Sequence, residues 1–245
     1  MTNAENYPPI DAPIMIQGAL KSELDLLLSS LDLLQTRIIS GFEFFECRYQ
    51  NRSVIISRTK IGEIHSAIAT TLGIQAYHPR MIINQGTAGA LTDWLNTGDI
   101  VIGTRVCYLS QFSTQGDRDA DVINPWKSNG YCSIDGDKVS YHTDATLLQF
   151  LRTVCQNHGS HLYFDVIGSG DVWTKDPQQI HRYHQQYGVV CEAMECAGAY
   201  LAANNQQTPL VSIRAISNNE LKHQAYDQSS GILAQKFVLN LLTKL

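Results

Sequence analysis

Two hydrophobic periods alternate along this chain. Short apolar runs bounded by Gly, Asn or Pro have the pattern of strands, and stretches with apolar residues every three or four positions have that of helices. "PIMIQGAL" predicts a strand that breaks at Gly18, followed by a helix over "KSELDLLLSSLDLL" with Leu24, Leu27, Leu28 and Leu31 in register. "GFEFFECRYQ" and "SVIISRT" predict a hairpin turning at Asn51 and Arg52. "EIHSAIATTLG" predicts a helix stopped by Gly73. "RMIINQGTAGAL" predicts a strand entering a glycine-rich turn, and "GDIVIGTRVCYL" a further strand.

After a polar excursion over residues 110–141, "ATLLQFLRTVCQNHG" predicts a helix and "HLYFDVIGSGDVW" a strand with its loop. "DPQQIHRYHQQYG" predicts a polar helix capped by Asp176, with Pro177 in its first turn. "EAMECAGAYLAANN" predicts a small-residue helix, and "VSIRA" a buried strand ending in a loop at Ser217, Asn218 and Asn219. Ile232, Leu233, Phe237, Val238, Leu241 and Leu242 mark one face of a closing helix. Strands alternating with helices predict an α/β fold: a single domain, residues 1–245, of three α/β/α layers around a mixed, mostly parallel sheet. Residues 1–12, polar and proline-rich, are expected to be flexible.

Composition narrows the function. With 44% hydrophobic and 17% charged residues and a net charge of −5, neither nucleic acid nor an anionic membrane surface is an expected partner. No apolar run reaches the length of a membrane helix, and the N-terminus lacks the basic start and apolar core of a signal peptide. Cys47, Cys107, Cys132, Cys155, Cys191 and Cys196 form no C-x-x-C pair and are expected to be buried thiols of a cytoplasmic protein.

The candidate chemistry gathers in the loops after strands: "QGALKSE", "NQGTAGA", "GSGDVWTKD" and "ISNNE". In a parallel sheet such loops share one edge, where ligands bind. They supply Glu23, Thr87, Trp173 and Asn218; the helix start "CEAMECAG" adds Glu192 and Glu195. A carboxylate among small apolar residues, as Glu195 is, suits a helix N-terminus or a sugar diol, whose two hydroxyls it can accept at once. Glu23 has the alternative of an exposed helix acid, and Trp173 that of core packing. His181 and His184 are spaced for a metal but lack a matching acid or thiol cluster, so no metal is expected. There is no P-loop and no nucleophile elbow.

Taken in order, "INQGTAGAL…GDIVIG", "GSGDVW", "EAMECAGAYLAA" and "SIRAISN" resemble the nucleoside phosphorylase superfamily, and within it the 5′-methylthioadenosine/S-adenosylhomocysteine nucleosidases. The resemblance runs from about Ile14 to the C-terminus and is weak over residues 110–141. It implies a homodimer that hydrolyses purine nucleosides without a cofactor. It places Glu23 on the acid that activates the attacking water, with Thr87 and Arg214 near that water. Trp173 falls on the aromatic that stacks on the purine, and Thr174 on the neighbour whose backbone contacts the base. Met194 and Glu195 fall on the ribose-binding pair; Ile61, Ala88, Gly89 and Ser217 fall on the substrate pocket. Asn218 falls where the family has the aspartate that protonates the leaving base at N7.

An amide cannot give a full proton, which leaves three expectations open: a slow adenine nucleosidase, an enzyme for 6-oxopurine nucleosides, or an impaired nucleoside-binding homologue. Related phosphorylases carry a phosphate-binding arginine where this chain has Asn84–Gln85, so water is the expected nucleophile. The 5′ side diverges: "YLSQFS", Tyr108–Ser113, replaces the family's tail-pocket motif.

Overall fold

The structure is a computed structural model describing residues 11–110, 112–113, 124–125, 140–156 and 161–245. In chain order its strands are β1 (Ile14–Gly18), β2 (Asp32–Ile39), β3 (Phe42–Tyr49), β4 (Arg52–Arg58), β5 (Met81–Ala90), β6 (Ile100–Tyr108), β7 (Phe112–Ser113), β8 (Asn124–Pro125), β9 (Ser140–His142), β10 (Leu162–Ser169), β11 (Val189–Ala193) and β12 (Leu210–Asn219). The helices are α1 (Asp25–Ser30), α2 (Glu63–Tyr77), α3 (Ala145–Val154), α4 (Pro177–Tyr187), α5 (Cys196–Asn205) and α6 (Ser230–Leu242).

The main sheet runs β11-β10-β6-β12-β5-β1-β4-β3-β2, with β9 on β6. A further antiparallel pairing of β11 with β5, Cys191 opposite Ala90 and Glu192 opposite Gly89, closes five of these strands into a ring. β1, β4, β5 and β12 run parallel to their neighbours in that series, whereas β2–β3, β3–β4 and β6–β12 are antiparallel. The sheet is therefore mixed, as the pattern predicts. Its central strands are apolar on both faces, as Ile14, Met15 and Ile16 of β1 illustrate, and two core clusters cover it.

Several boundaries differ from the pattern. The leucine-rich helix ends at Ser30, and Asp32–Leu34 open β2, an edge strand with Leu34 61% and Ile38 72% exposed. The leucines beyond Leu31 thus mimic a helical period without being buried. The hairpin turns at Gln50 and Asn51, and Arg52 is already in β4. α2 runs through Gly73 to Tyr77, because Gly73 is a packing glycine: a Cβ there would come within 2.5 Å of Met15 Sδ. The true stop is His78 in the left-handed region. The glycine-rich segment after "INQ" is no turn; β5 continues to Ala90 because β12 and β11 pair with it there. Glu192 and Ala193 belong to β11, so α5 starts only at Cys196. β12 likewise extends through Ser217–Asn219, with an irregularity between Ile216 and Asn218. On α6, Phe237, Val238, Leu241 and Leu242 are buried, whereas Ile232 and Leu233 are exposed.

Asp176 caps α4 through Gln178 N at 3.1 Å, as predicted, and Gly188 closes it at φ +70°. Cys47, Cys107, Cys155, Cys191 and Cys196 are buried thiols; Cys132 and most of the polar excursion lie outside the described residues, as do residues 1–10. Among the described residues no helix is long and apolar enough to cross a membrane, and no cluster of His, Cys, Asp and Glu has metal-site geometry. His184 Nδ1 instead faces the Val189 carbonyl at 2.9 Å.

α2 and α5 pack so closely that a Cβ on Gly198 would lie 2.1 Å from the Glu63 carbonyl oxygen. Backbone cannot yield as a side chain tip can. Gly198→Ala is therefore expected to cost about 1–3 kcal/mol or more, typical of overpacking, read as a lower denaturant midpoint at unchanged m.

Candidate active site

The parallel neighbours β1, β5 and β12 end side by side, and a pocket opens there. β1 leads into Ala19, Leu20 and Glu23; β5 contributes Thr87, Ala88 and Gly89; β12 contributes Ser217 and Asn218; β11 and the turn after it contribute Glu192, Ala193, Met194 and Glu195. Ile61, Val172, Trp173 and Tyr226 complete the wall. Ten of the predicted residues thus meet around one cavity: Glu23, Ile61, Thr87, Ala88, Gly89, Trp173, Met194, Glu195, Ser217 and Asn218.

Glu23 is 6% exposed, so it is no surface acid. Its Oε2 accepts from Ala19 N at 3.0 Å and Leu20 N at 3.2 Å, and its Oε1 from Thr87 N at 3.0 Å and Thr87 Oγ1 at 3.3 Å. Four donors from two strand ends fix the carboxylate's orientation. A side chain on Gly86 would strike Glu23 Oε1 at 2.8 Å and Arg214 Nη1 at 3.3 Å, so only glycine fits between them.

Arg214 does not line the pocket. It is buried behind it, donating to Asn84 O at 3.2 Å, to Asn84 Oδ1 and to Cys196 Sγ at 3.0 Å. Its guanidinium is a fixed positive charge shared between Glu23 and Glu195. Burial pushes the Glu195 carboxyl up to about 7; Arg214 opposes the rise and the charge of Glu23 adds to it.

Trp173 is 49% exposed and forms the rim rather than core. Tyr226 faces it, ring centroids 5.8 Å apart, and Trp173 Nε1 donates to Glu220 Oε1 at 3.3 Å. Tyr226 was not foreseeable, since its segment has no periodicity; an antiparallel bridge between Asn219 and Gln224 folds it back over the pocket.

The paired asparagines divide their roles. Asn219 is fully buried, its amide donating to Thr92 O and Leu95 O while its Oδ1 accepts from Leu221 N and Lys222 N. It is the turn former. Asn218 faces the pocket, its Oδ1 accepting from Ser217 Oγ at 3.0 Å and its Nδ2 reaching Glu220 Oε1 at 3.4 Å.

Thr174 departs from what the resemblance implies. It is buried outside the cavity lining, and both its N–H and its hydroxyl, the latter at 2.8 Å, donate to Glu192. Burial, opposed by these two bonds, pushes the Glu192 carboxyl above its ordinary range, and Glu220 adds to the rise. A pocket carboxylate thus holds the N–H of the residue whose backbone the resemblance sets against the base.

A mixed α/β sheet holding a three-carboxylate, aromatic-rimmed pocket at its strand ends defines the class, and the chain belongs to the phosphorylase superfamily, whose family model matches residues 13–245. More particularly, it is similar to the 5′-methylthioadenosine/S-adenosylhomocysteine nucleosidase of Bacillus subtilis, 28% identical over 88% of this chain and 90% of that one. Its fold matches the S-adenosylhomocysteine nucleosidase of Streptococcus pyogenes (TM-score 0.81, 22% identity, 97% of this chain and 98% of that one). It also matches the futalosine hydrolase of Helicobacter pylori (TM-score 0.80, 21% identity, 96% and 99%). These relatives agree with the nucleosidase expectation.

Proposed function

We propose that this protein hydrolyses the N-glycosidic bond of purine nucleosides of the 5′-methylthioadenosine/S-adenosylhomocysteine type. The observation that carries this reading is Glu23, buried, held by four donors and lining one cavity with Glu195, Trp173 and Tyr226. Cleavage builds positive charge on the sugar and negative charge on the leaving base. Glu195 accepts the 2′- and 3′-hydroxyls, Met194 packs on the sugar, Trp173 and Tyr226 flank the base, and Glu23 takes the proton of the attacking water. Arg214 and Thr87 act by holding the acids. No cofactor is needed.

Water is favoured over phosphate by charge. Among the described residues no arginine or lysine lines the cavity, three carboxylates do, and Arg58 is paired with Glu43. A phosphate dianion would be repelled. Base release is expected to be unchanged by phosphate or by a chelator. Accumulation of a ribose 1-phosphate derivative in phosphate buffer would refute hydrolysis.

Glu195 must be ionised to accept two hydroxyls. Because its carboxyl is pushed up to about 7 in the free protein, kcat/KM is expected to fall as pH drops through about 7. A profile flat from pH 8 to pH 5.5 would remove Glu195 from the sugar site.

A second reading, a 6-oxopurine nucleoside as substrate, is favoured by Glu192 together with Asn218. Adenine presents an acceptor at N1 and donors at its amino group; a 6-oxopurine presents N1–H and an acceptor O6. The Glu192 carboxylate suits N1–H and the Asn218 amide suits O6.

The chain is proposed to work in the cytoplasm as a homodimer with its sites near the interface. Ile64 (72% exposed) and Ile68 lie one turn apart on α2, next in sequence to pocket residue Ile61, and give that helix an apolar outer face. A stable monomer in sedimentation at micromolar concentration would overturn the dimer.

A further inference from the structure

Glu195 occupies the N-cap position of α5, yet its side chain makes no capping bond. An acidic N-cap residue ordinarily accepts from the N–H groups two and three residues on. Here those donors, Ala197 N and Gly198 N, are already taken. Ala197 N donates to Ser169 Oγ at 3.0 Å, and Gly198 N donates to Glu63 Oε2. Ser169 Oγ in turn donates to Glu63 Oε1, so one carboxyl and one hydroxyl from outside the helix cap it together.

The surroundings are built for this contact. Glu63 is the first residue of α2 and is buried. Its N–H donates to Asp171 Oδ1 at 2.9 Å, and Gly62 precedes it at φ +103°, a conformation that favours glycine. One turn later, Ser66 Oγ donates to the Glu195 carbonyl at 2.7 Å. Only glycine at position 198 lets the two helix starts approach so closely. Glu195 accepts instead from the Met194 N–H, at 3.3 Å on Oε2, and from the Gly62 backbone, and it lines the cavity.

We propose that Glu63 is a positioning residue that caps α5 in place of Glu195 and so releases the Glu195 carboxylate to hold the sugar. This rests on the reading of Glu195 as the ribose acceptor. Without Glu63, the buried Gly198 N–H loses this partner, and Glu195, at the N-cap, is the residue whose carboxylate ordinarily takes it. Burial, opposed by the bonds from Ser169 and Gly198 and reinforced by Glu195 and Asp171, pushes the Glu63 carboxyl up to about 7, so its neutral form also occurs near neutrality. A glutamine side chain keeps an acceptor for Gly198 N–H and is the conservative replacement; methionine keeps the volume and removes the acceptor.

The test is binding, measured calorimetrically in a Glu23→Gln background that stops turnover. Adenosine, inosine and 5′-methylthioadenosine are each titrated beside their 2′-deoxy counterparts. The parent is expected to prefer the ribonucleoside by about tenfold or more, as for a hydrogen bond to a charged acceptor. Glu63→Met is expected to abolish that preference, and Glu63→Gln to keep it within about threefold. With Glu195→Ala already present, Glu63→Met should change binding by no more than about twofold, because the two residues act through one carboxylate. A preference that survives Glu63→Met, or is lost in Glu63→Gln, overturns the proposal alone. So does a loss in Glu63→Met of the same size with and without Glu195. A preference that survives Glu195→Ala, or no ribonucleoside binding by the parent, defeats the ribose reading and the proposal with it.

Discussion

Glu23→Gln is expected to lower kcat by about 10²–10⁴-fold while nucleoside affinity stays near that of the parent. The geometry gives both halves of this result. Glu23 accepts four hydrogen bonds from Ala19, Leu20 and Thr87, so its position does not depend on the ligand. Its proposed task is proton transfer from water, which enters the transition state and not the ground state. The amide has almost the same volume and cannot take the proton. Turning one NH₂ toward either donor pair also sets donor against donor, which costs stability but leaves the sugar and base contacts in place. Single-turnover base release together with equilibrium titration of the same nucleoside separates the two quantities. A near-native kcat would mean that Glu23 only ties β1 to β5.

Asn218→Asp is expected to raise adenine release from 5′-methylthioadenosine by at least about tenfold, within the range of general-acid catalysis. The same change should depress hypoxanthine release from the corresponding inosine and shift preference toward adenine. Glu220 makes the expectation sharper than the sequence alone could. The Asn218 amide lies 3.4 Å from Glu220 Oε1, so an introduced carboxyl would face a second carboxyl at hydrogen-bond distance. Two carboxyls that close hold a proton between them, which keeps one available for N7. The same Glu220 oxygen also accepts from Trp173 Nε1 at 3.3 Å, which favours Glu220 as the partner that carries the negative charge. Base release from paired adenine and hypoxanthine nucleosides, followed across pH, measures this. If neither rate moves, Asn218 has no contact with the base and the amide serves only to join Ser217 and Glu220.

The hydrophobic pattern by itself determined the alternation of strands and helices, the mixed sheet, the Asp176 cap and the segments that converge on the pocket. Those features are local: a period, a cap or a strand end is fixed by residues a few positions apart. It also marked Glu23, Glu195, Trp173 and Asn218, because acids, an aromatic and an amide beside glycines at strand ends are unusual in any register. What it could not supply were decisions made by neighbours distant in sequence. Gly73 read as a stop and is a packing site for Met15; "GTAG" read as a turn and is paired strand. The resemblance sets the Thr174 backbone against the base and Arg214 near the attacking water; the fold turns the Thr174 N–H and hydroxyl to Glu192 and buries Arg214 behind Glu23 and Glu195. Glu63 gave no signal, being one more acid at a helix start until α5 is packed against it. Tyr226 gave none, because only the Asn219–Gln224 bridge brings it to the rim. Burial and hydrogen-bond partnership are properties of the assembled chain: a carboxylate becomes a base, a cap or a surface charge according to which donors the fold leaves beside it.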